Sequence, residues 1–359
     1  MKSTYNRLLL LALFLTFDLI MFGAFVRITD AGLGCPDWPG CYGQATPLGA
    51  MDSIRAEAAE RPDGPVTVFK AWVEMLHRYI AAGLGLIVIA LAVAATRARR
   101  RDPGAQRQPG VPLAWFTLAW IIVQGAFGAL TVTLKLQPAI VTAHLLGGMT
   151  LFGLLVAQWC RTEGPVVTQD ASRLRRLAWL ALAVLFVQIA LGGWVSTNYA
   201  TLACQSFPTC QGQWWPPMDF ARGFELWRPL GISADGRALP FQALTAIHVV
   251  HRLWAGLAFL VIGWLAVRAF RTEALRQTGR LLGALLVLQA LTGLTNVFLD
   301  WPLVAAVAHT GGAAGLLAAV LVVAFASAAP SSAHPAHARP GRTPQSDTPP
   351  RQTASTVRA

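Results

Sequence analysis

Charge is the scarcest commodity in this sequence. Asp, Glu, Lys and Arg together make up 13% of its 359 residues, about half the share of a soluble globular domain. That shortage excludes an ordinary charged surface. It also excludes disorder over most of the chain, because disordered segments combine high charge with little hydrophobicity. Acidic residues are scarcer still, 17 against 29 Lys and Arg, for a net charge of +12. A basic excess of this size suits nucleic acid, but these charges sit between long apolar runs and read first as membrane topology. Hydrophobic residues make up 55% of the chain and the mean hydropathy is +0.50.

Eight apolar runs approach or exceed the roughly 20 residues that cross a bilayer. They cover about 8–28, 72–95, 113–134, 139–160, 177–197, 243–267, 281–299 and 303–328. The first follows Lys2 and Arg7 but lacks a clean small-x-small cleavage site, so it reads as a retained anchor rather than a signal peptide. With the N-terminus in the cytoplasm, 19 of the 29 basic residues fall inside, among them Arg97, Arg99, Arg100, Arg101 and Arg107. The reversed orientation violates the positive-inside rule. The expected location is a membrane crossed several times, with both termini cytoplasmic and no nucleic-acid partner. Residues 329–359, rich in Pro, Ser, Ala and Arg, read as a disordered cytoplasmic tail in which His334 and His337 are solvated.

The chain repeats itself. "GAFVRITDAGLGCPDWPGC" (Gly23 to Cys41) and "GGWVSTNYATLACQSFPTC" (Gly192 to Cys210) align at an offset of 169, with both Cys and Pro39/Pro208 in register. "EMLHR" (Glu74 to Arg78) matches "HVVHR" (His248 to Arg252) at 174. "QGAFGAL" from Gln124 matches "QALTGLT" from Gln289 at 165, and His144 and His309 share that offset. The expected fold is an all-α integral membrane protein with eight transmembrane helices. These form two pseudosymmetric four-helix bundles, 1–165 and 166–328, related as parallel repeats by an axis near the membrane normal.

Five of the seven His lie in the spans: His77, His144, His248, His251 and His309. Ionisable groups inside a bilayer are costly and mark function by default. His77, His144, His251 and His309 all fall one to two turns from the outer end of a span, two per half. Two facing His from separate helices is the arrangement for six-coordinate haem; structural zinc wants four N/S ligands. Nearby Gly83, Gly147, Gly148, Gly256, Gly311 and Gly312 suit a flat macrocycle, or simply helix packing. Arg78 and Arg252, each following a ligand candidate, suit haem propionates or snorkelling to the interface. Glu74 stands where the second half has His248, so one half is expected to do chemistry and the other to hold a cofactor. Cys35/Cys41 and Cys204/Cys210 form two C-x5-C pairs in equivalent outer loops, where disulfides are expected, either as loop staples or as redox-active pairs. Cys160 reads as an inert thiol.

Together these motifs resemble the haem A synthase family, bacterial enzymes and mitochondrial cytochrome oxidase assembly relatives, over about residues 7–326. The resemblance implies oxidation of the C8 methyl of haem O to the formyl of haem A. It implies that His251 and His309 ligate a resident haem b, that His77 and His144 frame the substrate haem O, and that Glu74 is the catalytic carboxylate. A haem O synthase and an electron-transfer partner are the expected neighbours. Two rivals share some of these features: a b-type cytochrome that only transfers electrons, and a transporter built on parallel repeats.

Overall fold

The computed structural model describes residues 4–104, 108–167 and 172–328; the tail with His334 and His337 lies outside them. In chain order the helices are α1 (Thr4–Ile28), α2 (Met51–Glu60), α3 (Val68–Arg101), α4 (Val111–Thr133), α5 (Pro138–Glu163), α6 (Ser172–Thr197), α7 (Phe220–Gly223), α8 (Phe241–Phe270), α9 (Arg276–Phe298) and α10 (Leu303–Ala324). All but α2 and α7 are long and apolar enough to cross a membrane, and they match the eight expected runs.

The helices start where the sequence stops opposing them. Thr67 caps α3, its hydroxyl accepting from Lys70 N at 3.1 Å, the usual role of a hydroxyl there. α5 begins on Pro138, where a missing N–H costs nothing, and α8 and α10 follow Pro240 and Pro302. α3 outlasts its apolar run: Arg97 to Arg101 continue the helix, which ends at Asp102, before Pro103. Arg is a good helix former, and the residue before proline is driven out of the helical region.

Helix contacts close in two sets of four. α1, α3, α4 and α5 pack as a ring of neighbours, as do α6, α8, α9 and α10. The sets meet through α1 on α10, α5 on α6 and α5 on α10. A buried apolar cluster along this seam includes Phe152, Val156, Leu185, Ile189, Leu317 and Val320. α4 and α9 are the least covered, with Phe116, Ile122, Val287 and Leu291 exposed, as a lipid-facing surface requires.

Both long connections, α1 to α3 and α6 to α8, lie at one end, the loop end. Each carries a disulfide, Cys35–Cys41 and Cys204–Cys210, with Cα separations of 4.9 and 4.7 Å. Cys160 is free and buried. The two loops share backbone detail at an offset of 169. Each disulfide is followed by an antiparallel bridge, Cys41 to Gln44 and Cys210 to Gln213. Positive φ recurs at Asp30 and Tyr199, and at Tyr42 and Gln211. At the α4–α5 and α9–α10 turns it recurs at an offset of 165, Lys135 with Asp300 and Leu136 with Trp301. Helices α2 and α7, inside the connections, were not expected. Nor was the two-residue parallel pairing of β1 (Val166–Val167) with β2 (Ser327–Ala328), which joins the chain after α5 to the chain after α10.

Where the two sets meet at the loop end, residues one repeat apart touch each other. Arg27 Nη2 donates to the Ser196 carbonyl at 2.6 Å, and the Tyr199 hydroxyl donates to Asp30 Oδ1 at 2.6 Å. The Arg27 guanidinium also lies 4.0 Å above the Tyr199 ring. Burial, and then the bond to Asp30, push the Tyr199 phenol up from its ordinary value. The proton is therefore held more tightly in the folded protein. The stability it contributes is full below the unfolded tyrosine pKa and is lost as pH rises through the folded one. Tyr199→Phe is expected to lower stability by about 0.5–1.5 kcal/mol and to remove the part of the alkaline decline due to this phenol; thermal unfolding in detergent across pH checks both.

Candidate functional site

The four depth-matched His sit at the loop end, on α3, α5, α8 and α10, between 6 and 10 residues into each helix. At 1.5 Å per residue this is one shallow layer. His77 and His144 sit on opposite helices of the first ring, α3 and α5, and His251 and His309 on opposite helices of the second, α8 and α10. The four rings thus form two pairs, one in each set of helices, and all four are half-buried.

Each ring faces a glycine on a neighbouring helix. A Cβ at Gly23 would lie 3.4 Å from the His77 ring, at Gly128 3.3 Å from His144, at Gly192 3.2 Å from His251 and at Gly293 3.4 Å from His309. The absence of a side chain at these positions lets an imidazole lie against helix backbone. These glycines are themselves repeat mates, Gly23 with Gly192 and Gly128 with Gly293. Sequence reasoning noticed the register but drew its macrocycle glycines elsewhere. Gly147 and Gly312 instead make room for glutamines: a Cβ there would collide with Gln124 Oε1 and with Gln289 Nε2. Gly311 faces Met21, while Gly83 and Gly256 have nothing within 4 Å of a Cβ, so helix packing does not explain those two.

The two glutamines hold the helices that carry His144 and His309. Gln124 Nε2 donates to the His144 carbonyl at 2.8 Å, and Gln289 Nε2 to the His309 carbonyl at 2.9 Å. The ring nitrogens have further neighbours: Gln124 Nε2 at 3.2 Å for His144 Nδ1, Thr292 Oγ1 at 2.9 Å for His309 Nδ1, and the Gln188 amide at 3.2 Å for His251 Nδ1. None of these partners was singled out from sequence. Gln124 and Gln289 were visible as repeat mates; Gln188 and Thr292 are visible only as places where the repeats differ. His248 is buried, and its Nδ1 lies 2.9 Å from the Ala200 carbonyl, an acceptor that fastens α8 to the second loop.

Arg78 and Arg252 reach up into the disulfide loops. Arg78 Nη1 donates to the carbonyls of Asp37, Pro39 and Gly40 at 3.0, 3.2 and 2.7 Å. Arg252 donates to those of Ser206, Thr209 and Cys204 at 2.7, 3.1 and 2.7 Å. Asp37 and Ser206, and Gly40 and Thr209, are again 169 apart. Neither arginine uses its Nε among the described hydrogen bonds. Glu74 is buried on the same face as Arg78: Oε1 accepts from Arg78 Nη2 at 2.5 Å and Oε2 from Cys35 N at 2.9 Å. The carboxylate therefore ties α3 to the first loop, as His248 ties α8 to the second.

These donor sets fit haem. Each pair supplies two imidazoles from separate helices, the ligand set of a six-coordinate haem iron. His309 Nδ1 is engaged by Thr292, which leaves Nε2 for a metal. Among the described residues, no three His, Cys, Asp or Glu side chains gather as an ion site, so the four-ligand cage of structural zinc is not built here.

Comparison with known proteins agrees with this geometry. The profile of a family described as cytochrome oxidase assembly protein matches residues 6–321. A protein of Shewanella oneidensis named haem A synthase is 40% identical, over 88% of this chain and 94% of its own length. Haem A synthases of Erythrobacter litoralis and Rhizorhabdus wittichii are 31% and 28% identical, over 82% and 88% of this chain and 88% and 91% of theirs. A match across nearly all of the described helices shows the family: the chain belongs to the haem A synthase family of cytochrome oxidase assembly proteins.

Proposed function

We propose that this protein oxidises the C8 methyl group of haem O to a formyl group, yielding haem A for cytochrome oxidase. The observation that carries the reading is the pair of His pairs: two bis-imidazole ligand sets at one depth, one in each four-helix set, in a chain of this family. One set is for a substrate and the other for a cofactor.

The first half, residues 1–165, takes haem O between His77 and His144. The second half, 166–328, holds haem b through His251 and His309. When bound, haem b supplies a one-electron carrier between the reaction and an external electron-transfer partner. Glu74 is the catalytic carboxylate. It lies one turn before His77 and so on the same helix face, and in a low-dielectric setting it can hold a proton or stabilise positive charge beside the substrate. Arg78 and Arg252, with Nε free, reach haem propionates at the loop end while Nη1 and Nη2 keep the loops in place. The two disulfide loops act as covers stapled over the pockets. The farnesyl chain of haem O suits entry from the lipid, delivered by a haem O synthase. The basic residues at the opposite end put both termini in the cytoplasm and the haem layer toward the outer face of a bacterial inner membrane.

Haem extraction from purified protein tests these assignments. His251→Ala or His309→Ala is expected to abolish the resident b-type spectrum. Glu74→Gln is expected to keep that spectrum and stop haem A formation in a host that makes haem O; full product yield would refute the catalytic role. The Gln variant is preferable to Ala because its amide oxygen still accepts from Cys35 N; both variants remove the charge partner of Arg78, so protein level is compared as well.

Replacing Cys35 and Cys41 together by Ser opens a loop of sequence separation 6. The expected loss is about 2 kcal/mol of stability, with turnover retained at equal protein level. Loss of all turnover in a stably folded variant would make the pair redox-active instead of structural.

A further inference from the structure

The two pockets match in their histidines and glycines, but not in what stands behind the ring nitrogens. In the second half, Thr292 Oγ1 lies 2.9 Å from His309 Nδ1. The same hydroxyl donates its proton to the Leu288 carbonyl at 2.7 Å. With its proton committed it can only accept from the imidazole. Nδ1 therefore carries the ring proton, and Nε2 presents its lone pair.

One repeat earlier, 165 residues back, the position is Phe127, which offers neither donor nor acceptor. His144 Nδ1 is left with Gln124. The Gln124 amide nitrogen stands 3.2 Å away, and its bond to the His144 carbonyl fixes which end of the amide faces the ring. A donor at that nitrogen calls for a lone pair on Nδ1, which leaves the ring proton on Nε2 and does not commit His144 to the iron-binding tautomer. The other ligand pair carries no such contrast: the Gln188 amide nitrogen stands 3.2 and 3.4 Å from the two nitrogens of His251 and serves either tautomer.

We infer that Thr292 is a positioning residue that makes the second half the permanent haem site, and that Phe127 leaves the first half an exchanging one. The inference rests on the proposed assignment of His251 and His309 as ligands. Its physical basis is that a ligand imidazole donating its other N–H to an acceptor is more basic and cannot rotate. Loss of such a partner typically costs about tenfold to a hundredfold in metal affinity. A protein whose substrate and cofactor are both haems needs this difference, because a product held as tightly as the cofactor would not leave.

The test uses full-length protein in detergent, from a host that makes haem b but no haem O. Readouts are the rate of haem loss to excess apomyoglobin and the midpoint potential of the retained haem. Thr292→Val keeps the shape and removes the hydroxyl. It is expected to lose haem about tenfold to a hundredfold faster with a shifted potential, and Thr292→Ser is expected to restore both. Unchanged loss rate and potential in Thr292→Val would overturn the inference. If Thr292→Val does not fold, Phe127→Thr decides: haem taken up by the first half should dissociate more slowly than from wild type, and an unchanged rate overturns the inference. The ligand assignment fails separately, through a His309→Ala protein that keeps the wild-type spectrum.

Discussion

Two guanidinium groups set the geometry of the loop end. Arg78 and Arg252 each directly follow a layer histidine and each gathers carbonyls from a disulfide loop. Those carbonyls turn inward because the disulfide closes the loop on itself, and inward carbonyls need donors. Each arginine and the histidine before it leave the same helix turn. Loop and ring are thus fixed by one piece of backbone, and the depth of the rings follows from where α3 and α8 start. Glu74 and His248 reinforce the same link by different chemistry, one accepting from Cys35 N and the other meeting the Ala200 carbonyl.

Away from that layer, the low-dielectric interior dictates how polar side chains are used. Tyr5 donates to Gln158, and Gln158 donates to Thr117, joining α1, α5 and α4 through buried groups. Gln124 and Gln289 enter notches opened by Gly147 and Gly312 and bond to backbone. These polar residues are paired across helices, as the cost of an unsatisfied group in an apolar setting demands.

Much of this was legible in the sequence, for reasons that differ by element. The spans were readable because apolar length is a strong signal, and the end of α3 ran furthest past its run. The repeat was readable because Cys, Pro, Gln and His recur at fixed offsets, and the positive-φ residues recur at the same offsets. The histidine pairs followed from depth. What sequence could not supply was contact: that Gly23, Gly128, Gly192 and Gly293 face the rings, that Gly147 and Gly312 serve glutamines, and that Arg78 and Arg252 are occupied by loop carbonyls. Helical spacing gives depth and face, whereas the identity of the neighbour across the gap depends on packing between distant segments. Gln188 and Thr292 carry no repeat signal, because their mates are Leu19 and Phe127.

The contacts of Arg27 with Ser196 and of Asp30 with Tyr199 join residues that occupy the same place in their repeats. Two identical chains meeting this way would set arginine against arginine and carboxylate against carboxylate, with repulsion at the joint. A single chain carrying both copies escapes that restriction. Each member of a self-facing pair is free to become the complement of the other, so a donor opposes a carbonyl and a phenol opposes an acid. Covalent continuity thus turns the least favourable positions of a symmetric assembly into its fastening points.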